Sequence, residues 1–379
     1  MGYRAIVAGG GTGGHLYPAL NLAAALERRS MGSLEVLLVG AERGIESRVL
    51  PDKGVDHRLL PLQPIYRSRP WRNWRTLVSA FAVARDIKTL FASFAPNLVV
   101  GTGGYVAGPV VAWAAARNLP TAIQEQNSYP GVTTRWLAPY VDQIHLGYAE
   151  AMRYLLPGRT TEVRAHGVPI GWPEQRPEPQ AVRRQFALRA GRLVLAAGGS
   201  QGSASLNAAL LAGLEAASRG DLPGLPPETQ LLWSTGPAHH DAVSRRLDEL
   251  KVGPEVTALS YIDGMEKVLS LATLAVSRAG AVTLAEYCAW GVPSVLVPLP
   301  HATAQHQLHN ARALAAAGAA LVVEEGELGE SPELLWRELI GLLSSEARLE
   351  RMGAAARRRG NPDAADRIAD DLWRLLEDR

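Results

Sequence analysis

The chain has 379 residues, 47% of them hydrophobic and 20% charged, with 39 basic against 37 acidic side chains. That length predicts two domains, each able to bury its own core, and the near-neutral balance argues against a nucleic-acid binder. A single cysteine, Cys288, excludes an intramolecular disulfide, while glycines interrupt the N-terminal apolar run and no uninterrupted apolar stretch approaches a membrane span. A reducing, cytoplasmic compartment is expected, with room for attachment to a membrane surface.

In chain order, the first half alternates short apolar runs with helical stretches. Strands are expected at Ala5–Ala8, Glu35–Val39, Leu98–Val100, Thr121–Gln124 and Gln143–Leu146, and helices at Pro18–Arg29, Trp74–Phe94 and Val110–Asn118. Pro169, Pro173, Pro177 and Pro179 then crowd together after Gly167, which is linker composition. The second half repeats the alternation, with strands at Arg192–Ala196, Gln230–Trp233, Val256–Leu259, Leu274–Val276 and Ser294–Val297. Its helices include Ala281–Trp290 and Thr303–Ala317. After Asn361-Pro362-Asp363, the helical spacing of Ile368, Leu372 and Leu375 predicts a last helix crossing the domain junction. The expected class is α/β, two Rossmann-like doubly wound domains facing a cleft: residues 1–166, onto which a helix at 361–379 packs back, and residues 167–360.

Glycine turns follow the expected strands. Gly9-Gly10-Gly11-Thr12-Gly13-Gly14-His15 opens the first half, and Gly198-Gly199-Ser200-Gln201-Gly202 opens the second, with Gly10, Gly11 and Gly14 aligning over Gly198, Gly199 and Gly202. Gly101-Thr102-Gly103-Gly104-Tyr105 makes a third. A turn without side chains leading into a helix presents backbone N–H groups to an anion, usually a phosphate. The first turn formally matches a dinucleotide fingerprint. A nicotinamide site, however, wants an acid at the end of the second strand, and here Val39 is followed by Gly40 and Ala41, with Glu42 only after the turn.

His15 enters the first helix beside any bound anion, as a catalytic or substrate-contacting candidate. In Ser277-Arg278-Ala279-Gly280-Ala281-Val282-Thr283-Leu284-Ala285-Glu286, the amides at Ala281–Thr283 suit a pyrophosphate, and Glu286 suits ribose hydroxyls. His301, His306 and His309 lack companion carboxylates or thiolates, so sugar contacts are favoured over a metal. Between Arg58 and Arg85 there is no acid; Arg67, Arg69, Arg72 and Arg75 interleave with Trp71, Trp74, Leu77, Val78 and Phe81. That pattern reads equally as a patch for an anionic membrane or as a helix core with solvated arginines.

Together these motifs, with Gln124-Glu125-Gln126-Asn127 and His306-Gln307-x-x-Asn310-Ala311, resemble the GT-B glycosyltransferases along essentially the whole chain. The branch they resemble adds N-acetylglucosamine to the lipid-linked muramyl pentapeptide of peptidoglycan synthesis. The resemblance implies that the C-terminal domain holds the donor, UDP-N-acetylglucosamine. Ser200 and Ala281–Thr283 would face the diphosphate, Ile262 the uracil, Glu286 the ribose, and Gln307 with His306 the sugar. Arg278, Gly280, Leu284 and Ala285 complete the expected donor segment. Thr12, Gly13, Gly14, Tyr105 and Asn127 would approach from the other domain, and the basic, aromatic stretch would be the membrane patch.

The implied reaction is an inverting transfer to the 4-hydroxyl of undecaprenyl-pyrophosphoryl-MurNAc-pentapeptide (lipid I), giving lipid II. It would run without metal or other cofactor, at the cytoplasmic face of a bacterial inner membrane, among other proteins of cell-wall synthesis. His15 is the first candidate for general base and Glu125 the second. Two departures stand out: Val168-Pro169-Ile170-Gly171 occupies a place where the family has Asn-Pro-Val-Arg, and Ala279 replaces a serine. Arg164 and Arg278 are the candidates to replace the missing arginine. The competing readings are a UDP-sugar epimerase or hydrolase, a non-catalytic nucleotide-sugar-binding subunit and a nicotinamide oxidoreductase.

Overall fold

The structure, a computed structural model, describes residues 2–62, 74–300, 302 and 305–378, with the backbone alone at 74–80. The chain divides into two units, Met1–Gly171 with Asn361–Arg379, and Trp172–Gly360. The first unit ends at Gly171, later than the Gly167 junction that composition suggests. Val168 and Ile170 are buried, and the Pro169 carbonyl accepts a hydrogen bond from Asn21 Nδ2 at 3.1 Å, so the first prolines belong to the first unit.

The first unit contains β1 (Tyr3–Ala8), β2 (Leu34–Ala41), β3 (His57–Leu60), β4 (Leu98–Gly101), β5 (Thr121–Glu125), β6 (Gln143–Leu146) and β7 (Glu162–Arg164). They form one parallel sheet in the order β3-β2-β1-β4-β5-β6-β7. Successive β1 side chains enter two separate cores, Ala5 and Val7 on one face, Ile6 and Ala8 on the other. A strand buried on both faces reads as a continuous apolar run, which is why β1 was legible.

The second unit repeats the plan with β8 (Arg192–Ala197), β9 (Thr229–Ser234), β10 (Val256–Leu259), β11 (Ala272–Ser277), β12 (Ser294–Leu296) and β13 (Ala320–Val322). Its sheet is also parallel, in the order β10-β9-β8-β11-β12-β13. The expected strands are all present. The three that composition did not reveal, β3, β7 and β13, are all edge strands. They are short, and an edge strand tolerates polar residues such as His57, Arg58, Glu162 and Arg164.

Two helices begin earlier than expected. The first runs Gly13–Ser30 and takes Pro18 inside it, and the fourth strand's helix runs Gly104–Ala115, so both glycine turns abut a helix N-terminus directly. The helix Trp74–Phe94 is present as expected, and the later one begins at His306. No described helix is long and apolar enough to cross a membrane.

The last helix, Ala364–Glu377, packs on the first unit. Ile368, Ala369, Leu372, Trp373 and Leu376 join the core that also holds Leu16, Leu22 and Leu26 of the first helix. Arg28–Asp366 (2.8 Å) and Arg29–Asp370 (2.6 Å) flank that seam. These exposed pairs add little stability beside the apolar burial.

A buried clasp holds the same helix from β6 and β7. Asp371 Oδ2 meets His166 Nε2 at 2.6 Å, and Oδ1 meets Arg164 at 2.6 Å and Arg374 at 3.1 Å. His145, fully buried beside them, contacts Gln143 Oε1 at 3.1 Å. Burial drives its pKa from 6.5 to about 3, with Asp371 working against burial and the neighbouring His166 and Arg164 working with it. Below pH 6.5 the unfolded chain therefore binds a proton that the folded one refuses, and stability falls as pH drops toward 3, by up to about 1.4 kcal/mol per unit. Thermal unfolding followed between pH 7 and 4 should show a shallower loss of Tm in His145→Gln than in the wild type; equal slopes would contradict this.

Candidate functional site

In each unit, parallel pairing sends every strand's C-terminal end to one edge of the sheet, and the chain order reverses between the first strand and the fourth. Ligands of open α/β sheets bind in the crevice at that reversal. In the second unit it lies between β8 and β11, and the loops leaving those strands carry Gly198–Gly202 and Arg278–Gly280.

The turn Gly198–Gly202 interlocks with Thr235–Gly236. A Cβ on Gly202 would lie 2.1 Å from the Thr235 carbonyl oxygen, and Gly202 has φ of 76°, so only glycine fits. Gly199 faces open space and Ser200 is exposed. Across the crevice the helix Ala281–Trp290 starts at Gly280, and no side chain caps it. Its first N–H groups are the unsatisfied donors that, with the helix dipole, favour an anion.

That helix sorts the expected donor residues by face. Ala281 and Leu284 are buried with Tyr287 and Cys288, so the Leu284 side chain packs the core and leaves its backbone for the expected donor contact. Val282, Thr283, Ala285 and Glu286 remain partly accessible. The Glu286 carboxyl is desolvated and stands near the charge of Glu266, which together raise its pKa to about 7. Ile262 is also buried, which leaves its backbone as the part able to meet a base.

Gln307 Oε1 accepts from the backbone N–H groups of Ala279 (3.2 Å) and Leu299 (3.0 Å). With the oxygen pinned, the amide NH2 points the other way as a donor. His306 opens the same helix and is partly buried.

Both candidates for the arginine that Gly171 lacks are engaged within the protein. Arg278 donates to the carbonyls of Val297 (3.1 Å) and Pro298 (3.4 Å) and to Ser205 Oγ (2.7 Å), and it forms an ion pair with Glu325. Its guanidinium is a brace between loops. Arg164 belongs to the clasp on the last helix, held by Asp371 and Glu162.

In the first unit the corresponding reversal lies between β1 and β4, where the first and third glycine turns meet. Thr102 Oγ1 donates to the His15 carbonyl at 2.9 Å. A Cβ on Gly104 would lie 2.2 Å from the Gly10 carbonyl oxygen and 3.3 Å from His15 Nδ1. The Tyr105 ring packs over Gly11. Thr12 precedes the first helix without capping it, and its hydroxyl instead meets His15 Nδ1 at 3.1 Å. Thr12 and Gly14 are exposed, while Gly13 and His15 are partly buried.

Glu125, the second candidate base, is buried and saturated. Oε1 accepts from the backbone N–H (3.0 Å) and Nδ2 (3.1 Å) of Asn127, and Oε2 from Gly131 N–H (2.9 Å) and Thr134 Oγ1 (2.6 Å). A carboxylate has about four acceptor sites. With all of them engaged, Glu125 anchors the loop after β5, and its link to Asn127 fixes that side chain too.

Sequence reasoning missed Glu46. It is fully buried, and its carboxylate accepts from Gly11 N–H through both oxygens (3.0 and 2.9 Å) and from Ala41 N–H at 2.9 Å. The acid sought at the end of β2 for a nicotinamide ribose is thus present a few residues later, but it turns inward. Its oxygens are spent on Gly11 and Ala41, so it offers no carboxylate to a nicotinamide ribose. Nothing in residue spacing announces an inward-turned carboxylate at the start of the helix Glu46–Asp52.

Among the described residues one group has metal-ligand character, His145, His166 and Asp371, with candidate atoms within 4.8 Å of one another. Arg164 and Arg374 already share the Asp371 carboxylate and supply the positive charge an ion would bring. His301 lies outside the described residues. So do Arg67, Arg69, Trp71 and Arg72 and the side chains of Trp74, Arg75, Leu77 and Val78; Phe81 is 87% exposed.

Comparison with known proteins agrees in both units. Residues 5–146 match the glycosyltransferase family 28 N-terminal domain and residues 193–368 its C-terminal domain. The chain is 34% identical to a UDP-N-acetylglucosamine–N-acetylmuramyl-(pentapeptide) pyrophosphoryl-undecaprenol N-acetylglucosamine transferase of Desulforamulus reducens, across 98% of this chain and 99% of that one. It is 37% identical to the enzyme of the same name from Levilactobacillus brevis, across 99% and 100%. The crystal structure of Acinetobacter baumannii MurG superposes with a TM-score of 0.74 at 25% identity, covering 99% of this chain and 100% of that one. The fold is therefore GT-B, and the chain belongs to glycosyltransferase family 28.

Proposed function

We propose that this chain is an inverting N-acetylglucosaminyltransferase of peptidoglycan synthesis. It moves N-acetylglucosamine from UDP-N-acetylglucosamine to the 4-hydroxyl of undecaprenyl-pyrophosphoryl-MurNAc-pentapeptide. The observation that carries this reading is the end-to-end match to transferases named for that reaction. The second unit takes the donor. Its open turn at Gly199–Ser200 and the uncapped helix at Ala281–Thr283 receive the diphosphate, and their N–H groups stabilise the charge that develops as UDP departs. Glu286 holds the ribose hydroxyls, and the Gln307 amide, with His306, donates to the sugar.

The first unit takes the acceptor, with Thr12, Gly13, Gly14, Tyr105 and Asn127 around it. In an inverting displacement the acceptor hydroxyl attacks the anomeric carbon as the UDP oxygen leaves from the opposite face, and a base removes the hydroxyl proton. His15 is that base. When Nδ1 carries the proton and donates to Thr12 Oγ1, Nε2 is the basic nitrogen, and the contact with Thr12 orients the ring. Glu125 is the weaker choice because each of its acceptor sites already holds a loop donor. The protein works as a peripheral enzyme at the cytoplasmic face of the bacterial inner membrane, among other proteins of cell-wall synthesis. The exposed Phe81 and the basic, aromatic stretch before it supply the membrane contact.

Purified protein given UDP-N-acetylglucosamine in EDTA should release UDP only when a soluble lipid I analogue is present, with the sugar appearing on the analogue. UDP release without the analogue would mean a hydrolase or epimerase instead. Binding without turnover, persisting after magnesium is restored, would mean a non-catalytic subunit. Thr12→Val should lower kcat about tenfold through loss of the contact that orients His15, with KM for the donor unchanged; a change confined to KM would remove Thr12 from this role.

Hydroxyls donate best to an ionised carboxylate, so donor binding favours the charged form of Glu286. Calorimetric affinity for UDP-N-acetylglucosamine should therefore fall as pH drops through about 7. In Glu286→Gln that pH dependence should vanish, with affinity about 10-fold weaker at pH 8. A variant that keeps the wild-type pH profile would show that Glu286 does not meet the ribose.

A further inference from the structure

The two opening glycine turns are alike in sequence and differ in what fills them. A turn of this kind converges backbone N–H groups on an anion. In the second unit a Cβ on Gly199 would meet nothing within 4 Å, and Ser200 is exposed. In the first unit the anion is built in, because both oxygens of the buried Glu46 carboxylate accept from Gly11 N–H. Glu46 has no salt bridge among the described residues, so backbone N–H groups alone hold its charge.

The space around that carboxylate is cleared on several sides. A Cβ on Gly10 would lie 2.3 Å from Glu46 Oε1, and one on Gly44 would lie 2.1 Å from the carboxylate atoms. By gripping both Gly11 and Ala41, Glu46 ties the turn after β1 to the end of β2. The same turn then seats the Gly10 carbonyl against Gly104 and Gly11 against Tyr105, and it leads within four residues to His15.

We infer that Glu46 is a positioning and specificity-determining residue for the transfer proposed above, on which this inference rests. It takes the Gly11 N–H of the first turn, so neither the donor's diphosphate nor the acceptor's pyrophosphate binds that N–H. The nucleotide is directed to the open turn of the second unit, and the turn that sets His15 is rigid before any substrate arrives. Glu46→Ala removes the carboxylate and leaves the Gly11 and Ala41 N–H groups open to a free anion.

The test uses full-length protein saturated with UDP, so that the nucleotide's own seat is filled, titrated calorimetrically with inorganic pyrophosphate. The wild type should show no binding and Glu46→Ala one new site. In the transfer assay Glu46→Ala should lose about 10- to 100-fold in kcat with the donor KM within about twofold of wild type, and pyrophosphate should now compete with the acceptor analogue. Gly44→Ala pushes the carboxylate off Gly11, so it should lower kcat in the same way and serves if Glu46→Ala does not fold. Pyrophosphate binding to the UDP-saturated wild type, no new site in a folded Glu46→Ala, or an unchanged kcat in Gly44→Ala overturns the inference. A wild type that fails to transfer would refute the proposed activity, while the titration still decides the role of Glu46.

Discussion

Parallel pairing is the constraint on which the rest of this protein depends. Each sheet is parallel throughout, so every loop that follows a strand leaves from the same edge. Both strand orders reverse once, between the first and fourth strands, and leave a crevice there. The glycine turns, the uncapped helix at Ala281, the Gln307 brace and the His15 turn all sit at these carboxyl edges because the topology sends them there.

Loops gathered at such an edge expose backbone N–H groups that need partners. Much of the site is explained by asking where those donors go. Glu125 takes two backbone N–H groups of its loop, Glu46 takes Gly11 and Ala41, and Gln307 takes Ala279 and Leu299. These buried acceptors hold irregular backbone in place with charged or bidentate hydrogen bonds. The turn at Gly199–Ser200 and the uncapped start of the helix Ala281–Trp290 carry backbone donors with no such side-chain acceptor among the described residues.

The same accounting redefines several side chains that look catalytic or ligand-binding in isolation. Arg278 lies beside the crevice, yet its guanidinium is committed to Glu325, Ser205 and two carbonyls. Arg164 is committed to the helix that returns from the end of the chain. A guanidinium has a fixed fork of donors, and once these are matched within the protein it serves as framework.

Sequence alone determined the fold class, the central strands, the glycine turns and the returning helix. Strands buried on both faces must be apolar, turns with positive φ or close backbone approach must be glycine, and an amphipathic helix must repeat its apolar residues at helical spacing. Those demands are local, so β1, β4, β8 and Ile368–Leu372 can be read directly. The edge strands β3, β7 and β13 escaped because an edge places weak demands on composition. Only the tertiary structure decided which charges are spent. Glu46, Glu125 and Arg278 each look available in the sequence, but hydrogen bonds are made in space, by partners that chain order does not identify.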